Sequence, residues 1–156
     1  MRHPALVPLS HDHHEALLVA LRLKKGGPSS PRDTLWPISP LDQAAALLRF
    51  AEHELLVHFE IEETLLFPLV SSDEGKATVN RLLAEHDHMR NALGRLDTIT
   101  DEGAVMAALA DFGAVLEAHV RTEERILFPM IEQAIEAGEM SVDADGILGR
   151  RSSYRG

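Results

Sequence analysis

Apolar residues recur every three and four positions in four stretches of this chain, and between those stretches the period fails. That spacing is the mark of amphipathic helices with one buried face. The first helix is predicted over residues 10–25, stopped by Gly26, Gly27 and Pro28. The run GGPSSPRDTLWPISP after it is too rich in Pro and Ser for a regular element. A second helix starts just after Pro40 and reaches about residue 70. Ser71, Ser72 and Asp73 then break the chain and offer caps to a third helix over 73–96. After a break at 98–103, a fourth helix runs over 104–137, with Gly138 placed to end it. With Leu, Ala and Glu abundant and β-branched runs scarce, the expected fold is all-α, an antiparallel up-down-up-down four-helix bundle over 1–138. Residues 139–156 show no helical period and are expected to be a mobile tail.

The apolar stripes are interrupted in a repeated way. HFEIEETLLFP at 58–68 returns 61 positions later as HVRTEERILFP at 119–129. At that offset Leu48, Ala51, Leu55, His58, Glu62, Leu65 and Leu69 match Leu109, Phe112, Leu116, His119, Glu123, Ile126 and Met130. Steps of three and four put each set on one helix face, so one His and one Glu per helix point into the bundle. The first and third helices repeat each other at an offset of 73: Leu6, Leu9, His13, Ala16, Ala20 and Leu23 match Val79, Leu82, His86, Met89, Leu93 and Leu96. An acidic residue precedes each histidine, Asp12 and Glu85. His14 competes with His13, having Leu17, Leu18 and Leu21 at helical spacing. His13 is preferred because it lies nearly opposite Glu15, Arg22 and Lys25.

One inward histidine is most often a hydrogen-bonded core residue, and one H-x-x-x-E is often a surface contact. Four inward imidazoles and two inward carboxylates are costly to bury unless they are paired or bound to a cation. There is no cysteine, and imidazole nitrogen with carboxylate oxygen suits iron, manganese or zinc. His58 and Glu62, like His119 and Glu123, can reach a common centre from one turn apart. If both glutamates bridge, two ions use every group, and with an oxo or hydroxo bridge each keeps about one open position. Glu63 and Glu124, about 100° round the helix, are expected in a salt bridge or a hydrogen bond to a ligating histidine. Phe67 and Phe128 are expected to close the site, and Pro68 and Pro129 to bend or tighten the helix. His3, His11, His53 and His88 have no repeat partner on an inward face.

A length of 156 residues fits one domain. The net charge of -10 argues against nucleic acid and anionic membrane surfaces as partners. No long apolar run marks a signal peptide or a span, so a cytoplasmic location is expected.

The doubled H-x-x-x-E-E-x-x-L-F-P, with SHDHHEAL and AEHDHMRNAL, resembles the hemerythrin-like HHE cation-binding family over residues 9–137. The resemblance implies a four-helix bundle with a non-haem di-iron centre. Its ligands would be His58, Glu62, His86, His119 and Glu123, with His13 or His14 from the first helix. Oxygen carriers of this kind place two histidines four apart on the third helix, whereas Leu82 and Arg90 flank His86 here. The ligand set looks more like di-iron proteins of iron–sulfur repair, nitric oxide handling or iron sensing, although the repair proteins carry a cysteine-bearing domain and this sequence contains no cysteine. The expected function is binding or sensing of oxygen, nitric oxide or iron and redox state. The alternatives are an oxidoreductase acting on oxygen, peroxide or nitric oxide, and a storage or repair role.

Overall fold

The computed structural model describes residues 1–155, and they contain helices and no strands. Helix α1 spans Val7–Lys25, entered through a short 3-10 turn at Pro4–Leu6. The second bundle helix is α2 (Pro40–Phe50) and α3 (Leu56–Ile61), joined by a π-turn at Ala51–Leu55 and followed by another at Glu62–Leu66. Helix α4 is Asp73–Leu96. The fourth bundle helix is α5 (Glu102–Thr122), a π-turn at Glu123–Leu127, and α6 (Phe128–Glu136). These four run up, down, up and down, as expected.

The helix ends follow local chemistry. Ser39, Ser72 and Asp101 each accept a hydrogen bond from a backbone N–H in the first turn of the helix they precede. Gly26 and Gly138 end α1 and α6 with φ of 81° and 76°, a conformation that costs glycine least. In the connection 26–39, the buried Trp36 donates its indole N–H to Gln43 Oε1, and Arg22 lies over its ring.

The chain after 138 departs from expectation. Ala144–Arg155 forms a fifth helix, α7, where the pattern predicts no regular element. Among the described side chains of this segment only Ile147 is fully buried, so there is little apolar stripe to read, and that side chain docks together with arginines.

The π-turns correct a second expectation. Leu65 and Ile126, placed on the inward face by strict α spacing, are half-buried and 45 % exposed respectively, while Leu66 and Leu127 are wholly buried. A π-turn takes one more residue per turn, so the buried position advances by one beyond Glu62 and Glu123. The following Pro differs in outcome: the chain leaves the second helix through a 3-10 turn at Phe67–Leu69, but continues past Pro129 as α6.

The core has two apolar parts. One, toward the 26–39 connection, contains Leu23, Trp36, Leu93, Leu109 and Leu116. The other contains Leu6, Leu66, Leu82, Phe128 and Ile147. Glu102–Glu136 is long and apolar enough, by length and composition, to cross a membrane, which sequence inspection alone did not anticipate. Its apolar residues Leu109, Leu116 and Phe128 are accounted for by packing in the bundle.

Helices α1 and α5 approach closely at Gly113, where an added Cβ would lie 2.9 Å from both the Ala20 carbonyl oxygen and Leu23 Cβ. Backbone cannot yield there as a flexible side chain would. Gly113→Val is therefore expected to destabilise the fold by about 1–3 kcal/mol, read as a lower midpoint in urea unfolding.

Candidate metal centre

Between the two apolar cores lies a layer of six buried ionisable side chains: His13, His58, Glu62, His86, His119 and Glu123, none more than 4 % exposed. The structure thus gathers every sequence-predicted residue except His14, which is exposed on α1. One residue along a helix is a turn of about 100°, so only one of two adjacent histidines can face the core. His11, His53 and His88 are exposed, and His3 accepts a hydrogen bond from the Ala5 N–H at the 3-10 turn.

The six residues form two overlapping groups. One is His13, His58, Glu62 and Glu123; the other is Glu62, His86, His119 and Glu123. Within the first, His13 Nε2 and His58 Nε2 are 3.1 Å apart, and within the second His86 Nε2 and His119 Nε2 are also 3.1 Å apart. Two nitrogens each about 2.1 Å from one ion are about 3 Å apart when they meet it near a right angle. Both glutamates face both pairs. Glu62 Oε1 is 2.7 Å from His58 Nε2, and its Oε2 is 3.3 Å from His86 Nε2. Glu123 Oε1 faces His119 Nε2, and its Oε2 is 3.2 Å from His13 Nε2.

All four of these carboxylate oxygens are buried without a hydrogen-bond partner. In the metal-free chain the facing imidazoles, when protonated, offset part of the cost of burying these carboxylates. Cations between the histidine pairs would remove the cost, so the donor set fits two ions on geometry as well as on ligand chemistry.

Outside this layer, each imidazole turns Nδ1 toward another carboxylate. His58 faces Asp12 at 3.0 Å, His119 faces Glu85 at 3.0 Å, His13 faces Glu124 at 2.7 Å, and His86 faces Glu63 at 3.6 Å. The three at 3.0 Å or less fix the ring and direct the Nε2 lone pair inward, whereas His86 Nδ1 is buried without a hydrogen-bond partner among the described residues. Glu124 makes the expected hydrogen bond to a histidine, and Glu63 the expected salt bridge, to Arg90. Asp12 and Glu85 had no role assigned from sequence, yet their placement directly before the two repeat-related histidines was the available signal. Each outer carboxylate in turn meets an arginine: Arg151, Arg81, Arg2 and Arg90 for Asp12, Glu85, Glu124 and Glu63 respectively.

Aromatic rings brace the layer. Phe128 stacks on His13 and Phe67 on His86, as expected. Phe59, unforeseen, stacks on His86 with ring centroids 3.8 Å apart. Its repeat partner is Val120, so the 61-residue comparison conceals it.

Electrostatics follow from this crowding in the metal-free chain. Burial alone lowers the pKa of His58, but Glu62 and Asp12 beside it raise it to about 9. Burial likewise lowers that of His119, and Glu123 and Glu85 raise it to about 10. His13 is also raised, its own burial outweighed by Glu123, Glu124 and Glu62. Burial pushes Asp12 and Glu124 up, but their hydrogen-bond partners hold both near 2.

A cavity of about 10 Å³ opens beside His13, His58 and His119, walled by Leu55, Phe59, Leu116 and Val120. That is about the space needed for one water-sized molecule.

Residues 5–131 match the profile of a known family, described as hemerythrin HHE cation binding domain. No curated protein and no solved structure matches the chain.

Proposed function

The chain belongs to the hemerythrin HHE cation-binding domain family, and from that premise we propose that its core holds two non-haem iron ions and binds or senses a small diatomic molecule, oxygen or nitric oxide, or iron and redox state. The observation that carries the reading is the set of four buried carboxylate oxygens, unbonded and divided between two imidazole pairs. A histidine-rich set without sulfur favours iron over thiolate-preferring metals, with manganese and zinc as competitors.

When bound, such ions supply redox change and open coordination positions for a small ligand. The protein does the rest. Glu62 and Glu123 tie the two positions together, and the four imidazoles offer Nε2. Phe59, Leu116 and Val120 keep the adjoining cavity apolar and small, which supports a diatomic ligand over an organic substrate.

The test is elemental analysis after anaerobic loading with ferrous iron, followed by optical spectra before and after exposure to oxygen and to nitric oxide. About two irons per chain and new near-ultraviolet bands on exposure are expected. Bands that bleach when the gas is removed support binding or sensing, whereas sustained oxygen or nitric oxide consumption would replace that reading with an enzyme. A chain that takes up no iron would overturn it.

A further inference from the structure

The two candidate metal positions are alike in their inner groups and unlike in what braces them. At the His86 and His119 position, the outer carboxylates Glu63 and Glu85 meet Arg90 and Arg81, both carried by α4. At the His13 and His58 position, Glu124 and Asp12 meet Arg2, which precedes α1, and Arg151, which lies on α7. Neither Arg2 nor α7 falls within the matched residues 5–131.

The contacts of Asp12 and Glu85 also differ in quality, whereas Glu124 and Glu63 each meet their arginine at 2.6 Å. Arg151 grips Asp12 with two nitrogens, at 2.7 and 3.2 Å, and the two side chains are only 15 % and 13 % exposed. Arg81 meets Glu85 at 3.5 Å and is 61 % exposed. A two-pronged, partly dehydrated guanidinium contact holds a carboxylate in one orientation, while a long solvated one does not. Asp12 in turn fixes the His58 ring at 3.0 Å. An unbroken chain therefore runs from α7 through Arg151 and Asp12 to one metal-facing nitrogen.

Helix α7 is held at its described residues by a small set of contacts. It lies across α3, the Ala51–Leu55 π-turn and the Pro4–Leu6 turn. Among its described side chains Ile147 is the fully buried one, joined by the Arg151 contact and the more exposed pair of Arg150 with Glu60. Twelve residues are too few for a stable isolated helix in water. Release of α7 is thus also its melting.

We propose that α7 is a latch on the metal position framed by His13 and His58, its docking through Arg151 and the occupancy of that position by a divalent cation each strengthening the other. This rests on the reading of the core as a two-metal centre. The helix holds Asp12, and so the His58 ring, in the orientation that offers Nε2 to the ion. By linkage, whatever factor the docked helix adds to metal affinity, the metal adds to docking. Occupancy of one buried position is thereby reported on the surface as order or disorder of a helix.

The test is anaerobic calorimetric titration with ferrous iron of the whole chain and of Arg151→Ala, Arg151→Lys, Arg150→Ala and Arg81→Ala, with hydrogen exchange of the α7 amides. Loss of a partner that orients a ligand costs about 10- to 100-fold in metal affinity. Arg151 stands one contact further out, so Arg151→Ala is expected to weaken one binding event about tenfold and leave the other unchanged. Arg151→Lys should recover part of the loss, and the other two variants should stay within about twofold of the parent. Iron should slow α7 exchange in the parent by about the same tenfold, and not in Arg151→Ala. Two events of parental affinity in Arg151→Ala, or α7 exchange indifferent to iron, overturn the latch while the metal centre stands. No iron uptake by the parent overturns both.

Discussion

Glu62→Gln is expected to reduce bound iron from about two ions per chain to one or fewer, with the larger loss of affinity of any single change in the centre. An outer partner such as Glu85 costs about 10- to 100-fold when removed. Glu62 touches both positions directly, one oxygen toward His58 and the other toward His86. Glutamine keeps the shape but offers one acceptor and an N–H₂ group that cannot ligate. It also removes half of the negative charge that the two glutamates place between the histidine pairs. Elemental analysis and far-ultraviolet circular dichroism on the same sample settle the point. Helix content should be unchanged while iron falls; a variant that keeps two tightly held irons would show that Glu62 does not bridge.

The second large effect is on stability with the metal stripped. His58 and His119 have pKa values of about 9 and about 10 in the fold, against 6.5 when exposed. A folded-state pKa above the unfolded one stabilises fully below pH 6.5 and progressively less as pH climbs through 9 and 10. At about 1.4 kcal/mol per unit, each imidazole contributes a few kcal/mol. The chelated protein should lose about 10 °C of melting temperature between neutral and strongly alkaline pH. On the acid side, Asp12 and Glu124 lie near 2, below their usual 3.8 and 4.5, so their contribution fades as pH falls below those values. Iron-loaded protein should behave oppositely in the alkaline range, because ions displace the imidazole protons and bind more firmly as protons become scarce. Melting curves with and without chelator from pH 6 to 10 provide the check. A flat profile for the stripped protein would show that the imidazoles are neutral in it.

Much of this was open to reading from the chain. Two offsets, 61 and 73, were enough to place His13, His58, Glu62, His86, His119 and Glu123 on inward faces, because a repeated interruption of an apolar stripe is hard to produce by packing alone. The failures have physical causes. Strict α spacing carried the inward face to Leu65 and Ile126, since nothing in the residue types announces that the helix widens at the glutamates. Helix α7 was missed because its docking depends on Ile147 and on arginines that resemble solvent-facing residues. Asp12 and Glu85 sit beside the inward histidines on the turn of the helix, where charge is usually met by water. The imidazoles they meet, His58 and His119, lie on other helices, which a pattern along one helix cannot display.

The repeat has a consequence for how the molecule is held together. His13 and His58 both belong to the first half of the chain, and His86 and His119 to the second. Each half thus owns one complete imidazole pair, but each also sends a glutamate between both pairs. The ions would act as rivets through a seam, and the seam runs through the middle of the molecule. A change at the centre would then be felt first as the grip of one half of the protein upon the other.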